Sequence, residues 1–373
     1  MRRGGFLLVV LLLAGCSRQK PEWPELFEPV PQTVQMETLT VRRVELDSVY
    51  CSGIGFTGYK DAGEICFFDS YFGYLYSFDL AGRLLRKEYG IGNGPDEVLI
   101  RNPFGFIMEG NGNITLLGNN LDVETHACNQ EKEYFQIPYR PDLSGDAASF
   151  GVYSHAIAPQ VNVRVRGEDI LYGVFSENPS FNMLEHPARY VREARHIAVI
   201  DRKSHKGRVV VRGFPDIYCQ NPQKYFSFSY VRYDILPGNR LLLGFEATPE
   251  LYVCSAEGRP LRVFGSPGRD MDQNYLPVGG FDQDGIKKFW KNRTEKGYYG
   301  AVKVAENRVF RSYRKGGNSP VDGMQIYEDE VLIADVEVPK DFNVAGVNGN
   351  TVVSEIFFDE PSGRLFCYEF ELE

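Results

Sequence analysis

This chain of 373 residues lacks the spacings on which most recognisable chemistry depends. Its seven cysteines include no CxxC pair, which removes the usual zinc and thioredoxin-like sites. Its five histidines, His126, His155, His186, His196 and His205, form neither HxH nor HExxH. There is no GxSxG elbow, so a serine hydrolase of the common kind is excluded. Long amphipathic helical patterns are missing, and only one apolar run stands out. Positive charge is also short: Asp and Glu exceed Lys and Arg by nine. Such a chain repels phosphate backbones, and no nucleic-acid partner is expected.

The one apolar run lies at the start, in MRRGGFLLVVLLLAGC. Arg2 and Arg3 are followed by an unbroken stretch from Phe6 to Leu13. As a helix that stretch spans about 12 Å, far short of the ~30 Å hydrocarbon core, so it reads as a signal and not as a membrane span. Leu13-Ala14-Gly15-Cys16 has the form of a lipobox. Ala14-Gly15 suits a signal peptidase, and the Cys16 thiol can accept a diacylglyceryl group. An ordinary secretory signal that happens to hold a cysteine is the alternative. Residues 1–15 are thus expected to be a lipoprotein signal peptide. Its loss takes two arginines and raises the acidic excess from nine to eleven.

Residues 16–33 then form a lipidated cysteine and a tether, in which Pro21, Pro24, Pro29 and Pro31 favour extended geometry. At ~3.1 Å per residue the tether reaches about 50 Å. Trp23, Leu26 and Phe27 are the residues that would dock it on the domain instead. The expected membrane attachment is the lipid on Cys16. Ser17, with no acidic run after it, resembles the sorting signal of outer-membrane lipoproteins, with the periplasmic face preferred to the cell surface.

From residue 34 to 373 the chain reads as one domain of short apolar runs and turns. Abundant glycine and 13% aromatic residues suit strands. Ser70–Phe78, Ile114–Leu117, Ile197–Ile200, Arg240–Leu243, Glu250–Cys254 and Val352–Phe358 are examples, several alternating with period two. Two helical inserts are expected, over 188–195 and 285–296. One phrase recurs: strand, polar turn, Gly-Arg, strand. It occurs at Gly82-Arg83, Gly207-Arg208, Gly258-Arg259 and Gly363-Arg364, with a looser cousin from His126 to Ile137. Each copy predicts a hairpin whose glycine takes a positive φ and whose arginine faces solvent. Spacings of 125, 51 and 105 residues approach multiples of one blade of roughly 40–50 residues. The expected fold is an all-β propeller with four-stranded antiparallel blades, six of them, or seven.

Tyr89-Gly90-Ile91-Gly92-Asn93-Gly94-Pro95-Asp96-Glu97 follows the first such hairpin. It resembles the loop signature of TolB-like six-bladed β-propeller lipoproteins of the Bacteroidota type, approximately G-x-G-x-G-P-G-E and an aromatic. Gly90, Gly92, Gly94, Pro95 and Glu97 match, while Asp96 and Val98 depart from the pattern. Phe264–Asp270 is a degenerate second copy. The resemblance implies six blades, with the terminal strands completing one blade together. It implies no activity.

Other candidates for chemistry are sparse. Gly90–Gly94 reads as turn glycines, since neither GxGxxG nor a Walker pattern with its lysine or helix lies there. Asp270–Asn274 and Asp282–Gly285 resemble pieces of calcium loops, but Tyr275 and Phe281 occupy the places an EF-hand requires for Gly and Glu. Cys51, Cys66, Cys128, Cys219, Cys254 and Cys367 read as buried free thiols. Lys224–Tyr233 reads as a strand with one buried aromatic face. Trp290, inside an insertion, is the candidate for partner or ligand contact. The expected function is a non-catalytic binding or scaffold module for an envelope protein or glycan, with no cofactor. The alternative is a metal-dependent hydrolase or lyase whose His or carboxylates converge in the central channel.

Overall fold

The computed structural model describes residues 23, 32–36, 39–60, 63–119, 122–128, 131–137, 152–154, 162–176, 182–280 and 282–372. The signal over 1–15, Cys16, Leu26, Phe27 and His155 lie outside these residues.

Six antiparallel sheets of four principal strands make a β-propeller. Blade 1 is built from Gly55–Lys60, Glu64–Asp69, Tyr74–Asp79 and Leu84–Tyr89. Blade 2 uses Gly105–Met108, Ile114–Leu117, Asp122–His126 and Lys132–Gln136. Blade 3 uses Val163–Arg166, Asp169–Ser176, Arg195–Asp201 and Gly207–Arg212, with Val152–Ser154 added beside the second strand. Blade 4 uses Val231–Leu236, Arg240–Phe245, Glu250–Cys254 and Pro260–Gly265. Blade 5 uses Tyr298–Ala305, Arg308–Arg314, Val321–Glu328 and Val331–Pro339.

Blade 6 takes three strands from the C-terminal end, Val344–Asn348, Thr351–Ser354 and Arg364–Glu371. Its fourth is Arg42–Glu45, paired antiparallel with Arg364–Glu371. The ring is therefore closed by hydrogen bonds between the two ends of the domain, and each blade keeps only short edges at its inner and outer strands. The first strands of successive blades touch in cyclic order and line the axis.

Six hydrophobic clusters fill the six gaps between neighbouring blades. Inner strands are thus buried on both faces, as in Glu64–Asp69, where Ile65, Cys66, Phe67 and Phe68 are all buried. The largest cluster lies between blades 3 and 4. It contains Trp23, which is 2% exposed, meets Phe245 and Tyr252 edge-on, and donates its Nε1–H to the Arg212 carbonyl at 3.0 Å. Gln32–Met36 adds a parallel strand to the outer edge of blade 5. Between blades 4 and 5, buried Arg311 lies over the Tyr299 ring at 3.9 Å and donates to the carbonyls of Thr248, Pro249 and Phe245.

Three of the four Gly-Arg hairpins follow the expected geometry, with φ of +86° at Gly82, +81° at Gly258 and +65° at Gly363. The exception is Gly207. There the turn places His205 at φ +57°, and Gly207 opens the outer strand. The helices Pro187–Glu193 and Gln283–Glu295 occupy the two expected inserts.

Other expectations are corrected. Lys224–Tyr233 is not one strand: Pro222 starts a short helix, Phe226–Phe228 is a 3₁₀ turn, and the strand begins at Val231. Tyr225, Phe228 and Tyr230 are buried all the same, so the aromatic pattern reports a core without being a strand. Ser70–Phe78 is likewise half turn, its strand starting at Tyr74. All six described cysteines are free, with Cys66, Cys254 and Cys367 buried and Cys51 and Cys219 half-buried. Cys128 is exposed, because it sits in a blade 2 turn, where its thiol meets the Asn111 carbonyl at 2.9 Å.

Candidate functional site

Successive antiparallel strands send the second-to-third-strand turns and the blade-to-blade connectors to one face, here called the loop face. All helical segments among the described residues lie on it, in blades 3 to 5 and their connectors. Its most exposed large apolar side chains lie elsewhere, where blade 6 meets blade 1. Tyr50 is 75% exposed, Ile54 68% and Tyr71 62%.

Asp69, at the end of a buried strand, builds this surface. Its carboxylate has no exposure and accepts from Ser52 N and Ser52 Oγ at 2.5 and 2.9 Å, and from Tyr71 N and Phe72 N, both at 2.9 Å. One side chain thus ties the connector from blade 6 to the second-to-third-strand turn of blade 1. Gly73 completes that turn at φ +71°, pressed on Ile91 and Val98, where a Cβ would clash. Tyr76 donates its hydroxyl to the Tyr50 carbonyl, and burial pushes that phenol up to about 12. With the backbone so fixed, Tyr50 lies 5.1 Å from Phe72, Tyr71 meets Phe72 edge-on at 5.0 Å, and Phe72 stacks towards Tyr74 at 6.0 Å. Lys87 sits over the Tyr74 ring at 3.4 Å. The product is a continuous aromatic surface with hydroxyls at its margin, suited to stacking on a sugar ring or anchoring a partner.

Trp290 stands on the helix Gln283–Glu295, 52% exposed, with Ile286 exposed one turn earlier. Asp282 caps this helix through Gly285 N at 2.7 Å. Buried Asn292 bonds Ser227 Oγ and both the N–H and the carbonyl of Leu276. The helix is therefore rigidly seated, but its exposed ridge is smaller than the blade 1 surface. The acidic residues once comparable to calcium ligands are engaged otherwise: Asp272 pairs with Lys296 at 2.7 Å, and Asp284 with Lys288 at 2.6 Å.

Along the axis, Arg164 on blade 3 pairs with Asp234 on blade 4 at 2.6 Å. Burial raises the Asp234 carboxyl, but Arg164, Lys303 and the Val304 N–H outweigh it and hold the group below its usual range. Beyond it, Glu246 accepts from Arg232 and Arg293, and Ser312, Asn343 and Glu355 form a hydrogen-bonded chain. A cavity of about 80 Å³ opens there, lined by Arg232, Ser312, Arg314, Asp322 and Asn343.

None of the four described histidines lies on a first strand. His126 pairs with Glu124 at 2.8 Å in blade 2, and His196 bonds the Gly213 carbonyl at 2.8 Å. His205 stacks on Phe135, and His186 precedes a helix. No group of three or more His, Cys, Asp or Glu able to hold a metal occurs among the described residues.

A groove of about 510 Å³ lies between blades 1 and 2 and is lined by Lys60, Lys87, Tyr89, Asp96, His126 and Cys128. The glycine loop borders it. Gly94 N donates to Glu97 Oε2 at 2.7 Å, and a Cβ on Gly92 would strike the same carboxylate. The loop therefore encloses its own glutamate, which explains why its glycines and Glu97 go together. A GxGxxG spacing does occur, at Gly53–Gly58, but it enters the first strand of blade 1 with no helix after it, so it builds no dinucleotide site.

The Tyr50, Ile54 and Tyr71 surface was not singled out by the sequence. Asp69 followed by two adjacent aromatics and Gly73 was the signal available, since neighbouring turn residues cannot both point into a core.

No known family profile matches this sequence, and no curated protein matches it either. Solved structures do. A member of the DUF4221 family from Bacteroides vulgatus is similar at 16% identity, with a TM-score of 0.64 over 92% of this chain and 99% of that one. The likeness shows the fold. A protein from Bacteroides fragilis whose name takes it for an exported protein is more distant, at 11% identity and a TM-score of 0.46, covering 92% of this chain and 98% of that one. The calcium-binding protein regucalcin from Agrobacterium tumefaciens stands at 10% and 0.42, covering 92% and 98%.

Proposed function

We propose that this protein is a lipid-anchored propeller of the cell envelope that binds a protein or glycan on its loop face and catalyses no reaction. The observation that carries the reading is the aromatic surface of Tyr50, Ile54, Tyr71 and Phe72, fixed in place by buried Asp69. Rigid, exposed aromatics give contact area at little entropic cost. Trp290 is a second, smaller contact on the same face. Lipidation at Cys16 supplies the anchor, and Ser17 with no acidic run after it agrees with an outer-membrane, periplasm-facing location. No helix among the described residues is long and apolar enough to cross the membrane.

The test is affinity purification of the full-length protein after crosslinking in intact cells, beside a Tyr50→Ala/Tyr71→Ala variant of equal abundance. A reproducible protein or glycan captured by the parent and lost from the variant supports the reading. Equal capture by both contradicts it.

A further inference from the structure

Taking the lipid on Cys16 from the reading above, we infer that the rim of the loop face at blades 3 and 4 lies against the membrane, and that the aromatic surface faces away from it. The argument starts from Trp23. Its ring is wedged between blades 3 and 4, 2% exposed, with its indole N–H bonded to the Arg212 carbonyl. That ring is a fixed point in the domain, and only six residues separate it from Cys16. The seven residue-to-residue steps between them reach at most about 25 Å even when fully extended. The lipid can therefore enter a bilayer only near this rim. A free tether of the kind the prolines suggest would have allowed any orientation.

Charge beside Trp23 agrees with a membrane of anionic headgroups. Arg192 and Arg212 are exposed, Arg195 is half-buried, and Arg195 pairs with Arg212 across neighbouring strands. Arg189 alongside them is engaged by Glu193 at 3.0 Å, and Glu185 and Asp216 flank the group. In a chain this acidic, arginines next to the anchor add the second, electrostatic attachment that peripheral proteins use.

The ring fixes the rest. In a closed ring of six blades, the gap between blades 3 and 4 lies half a turn from the gap between blades 6 and 1. Tyr50 and Ile54 come from the connector between blades 6 and 1, and Tyr71 from the second-to-third-strand turn of blade 1. Anchoring on one side presents these aromatics on the other.

The experiment uses the full-length protein, purified from its membrane and reconstituted into phosphatidylethanolamine vesicles with or without phosphatidylglycerol. A benzophenone amino acid is placed at position 192 or at position 50, and intact mass reports the lipid on Cys16. The expected result is lipid adducts from position 192, more with phosphatidylglycerol, and their absence from position 50. Adding Trp23→Ala moves the first fixed point to Gln32 and should lower the adducts at 192 well below those of the parent, with melting curves confirming that the variant is folded. Lipidated protein with adducts at position 50, or with none at 192, overturns the orientation alone. A Cys16 found without lipid overturns the anchor, and the orientation falls with it.

Discussion

Two rims of the loop face handle aromatic side chains in opposite ways. Where blades 3 and 4 meet, Trp23 is 2% exposed in a cluster with Phe214, Phe245 and Tyr252, and its polar atom is paired. Where blades 6 and 1 meet, Tyr50 is 75% exposed and Tyr71 62%, while the Tyr71 N–H is held by the buried Asp69 carboxylate and the Tyr50 carbonyl by the Tyr76 hydroxyl. One rim spends its aromatics on stability. The other holds aromatics rigid without burying them, which costs hydrophobic stabilisation and is expected only where something else covers them.

Trp23→Ala is the largest change that would break this contrast. It removes a buried indole and strands the Arg212 carbonyl, so a loss of about 3–5 kcal/mol is expected in denaturant unfolding. A loss within the range of a surface substitution would mean that the wedge is not part of the core. At the other rim, Asp69→Ala leaves the N–H groups of Ser52, Tyr71 and Phe72 without their partner, at a cost of about 2–3 kcal/mol. Proteolysis should then cut between residues 46 and 54 faster than in the parent.

Acid should weaken the Trp23 side first. Burial pushes the His196 imidazole down to about 4, and this ring packs edge-on against Phe214 and Phe245 beside Trp23. The unfolded chain takes up that proton near its ordinary value of about 6.5, so stability falls as pH drops from there to about 4. Glu124 in blade 2 is also buried, which alone would raise it, but His126, the N–H groups of Leu99 and Ile100, and Lys132 bring it down to about 2. Its contribution is present above its ordinary value and is lost only as pH falls on towards 2. Melting temperatures followed by Trp fluorescence should therefore decline already between pH 6 and 4, and the decline should be smaller in a stable His196 replacement such as His196→Gln.

Tyr50→Ala/Tyr71→Ala should sharpen the contrast from the opposite side. Stability should stay within about 0.5 kcal/mol of the parent while partner capture is lost. Trp290→Ala should do least, with stability inside the same margin and capture reduced but not abolished.

The fold was legible because a propeller repeats itself. The Gly-Arg hairpins mark a turn that needs a positive φ, and the spacings between their four copies approach multiples of one blade. Where another residue supplied that φ, as His205 does for Gly207, the pattern persisted but its geometry did not. Lys224–Tyr233 misled because a helical connector packed on both sides buries aromatics at nearly the spacing of a strand. The site was less legible. Whether Tyr50 and Tyr71 are exposed depends on Asp69 meeting Ser52, a contact between two turns that no local pattern encodes. The wedge at Trp23 depends on a cleft between two blades far along the chain.

The most direct measurement of the opposed rims is photocrosslinking in intact cells from position 54 and from position 192 of the full-length protein. We expect a protein or glycan adduct from position 54 and lipid from position 192. The same neighbours at both positions, or lipid at 54, would contradict a propeller anchored by one rim and open at the other.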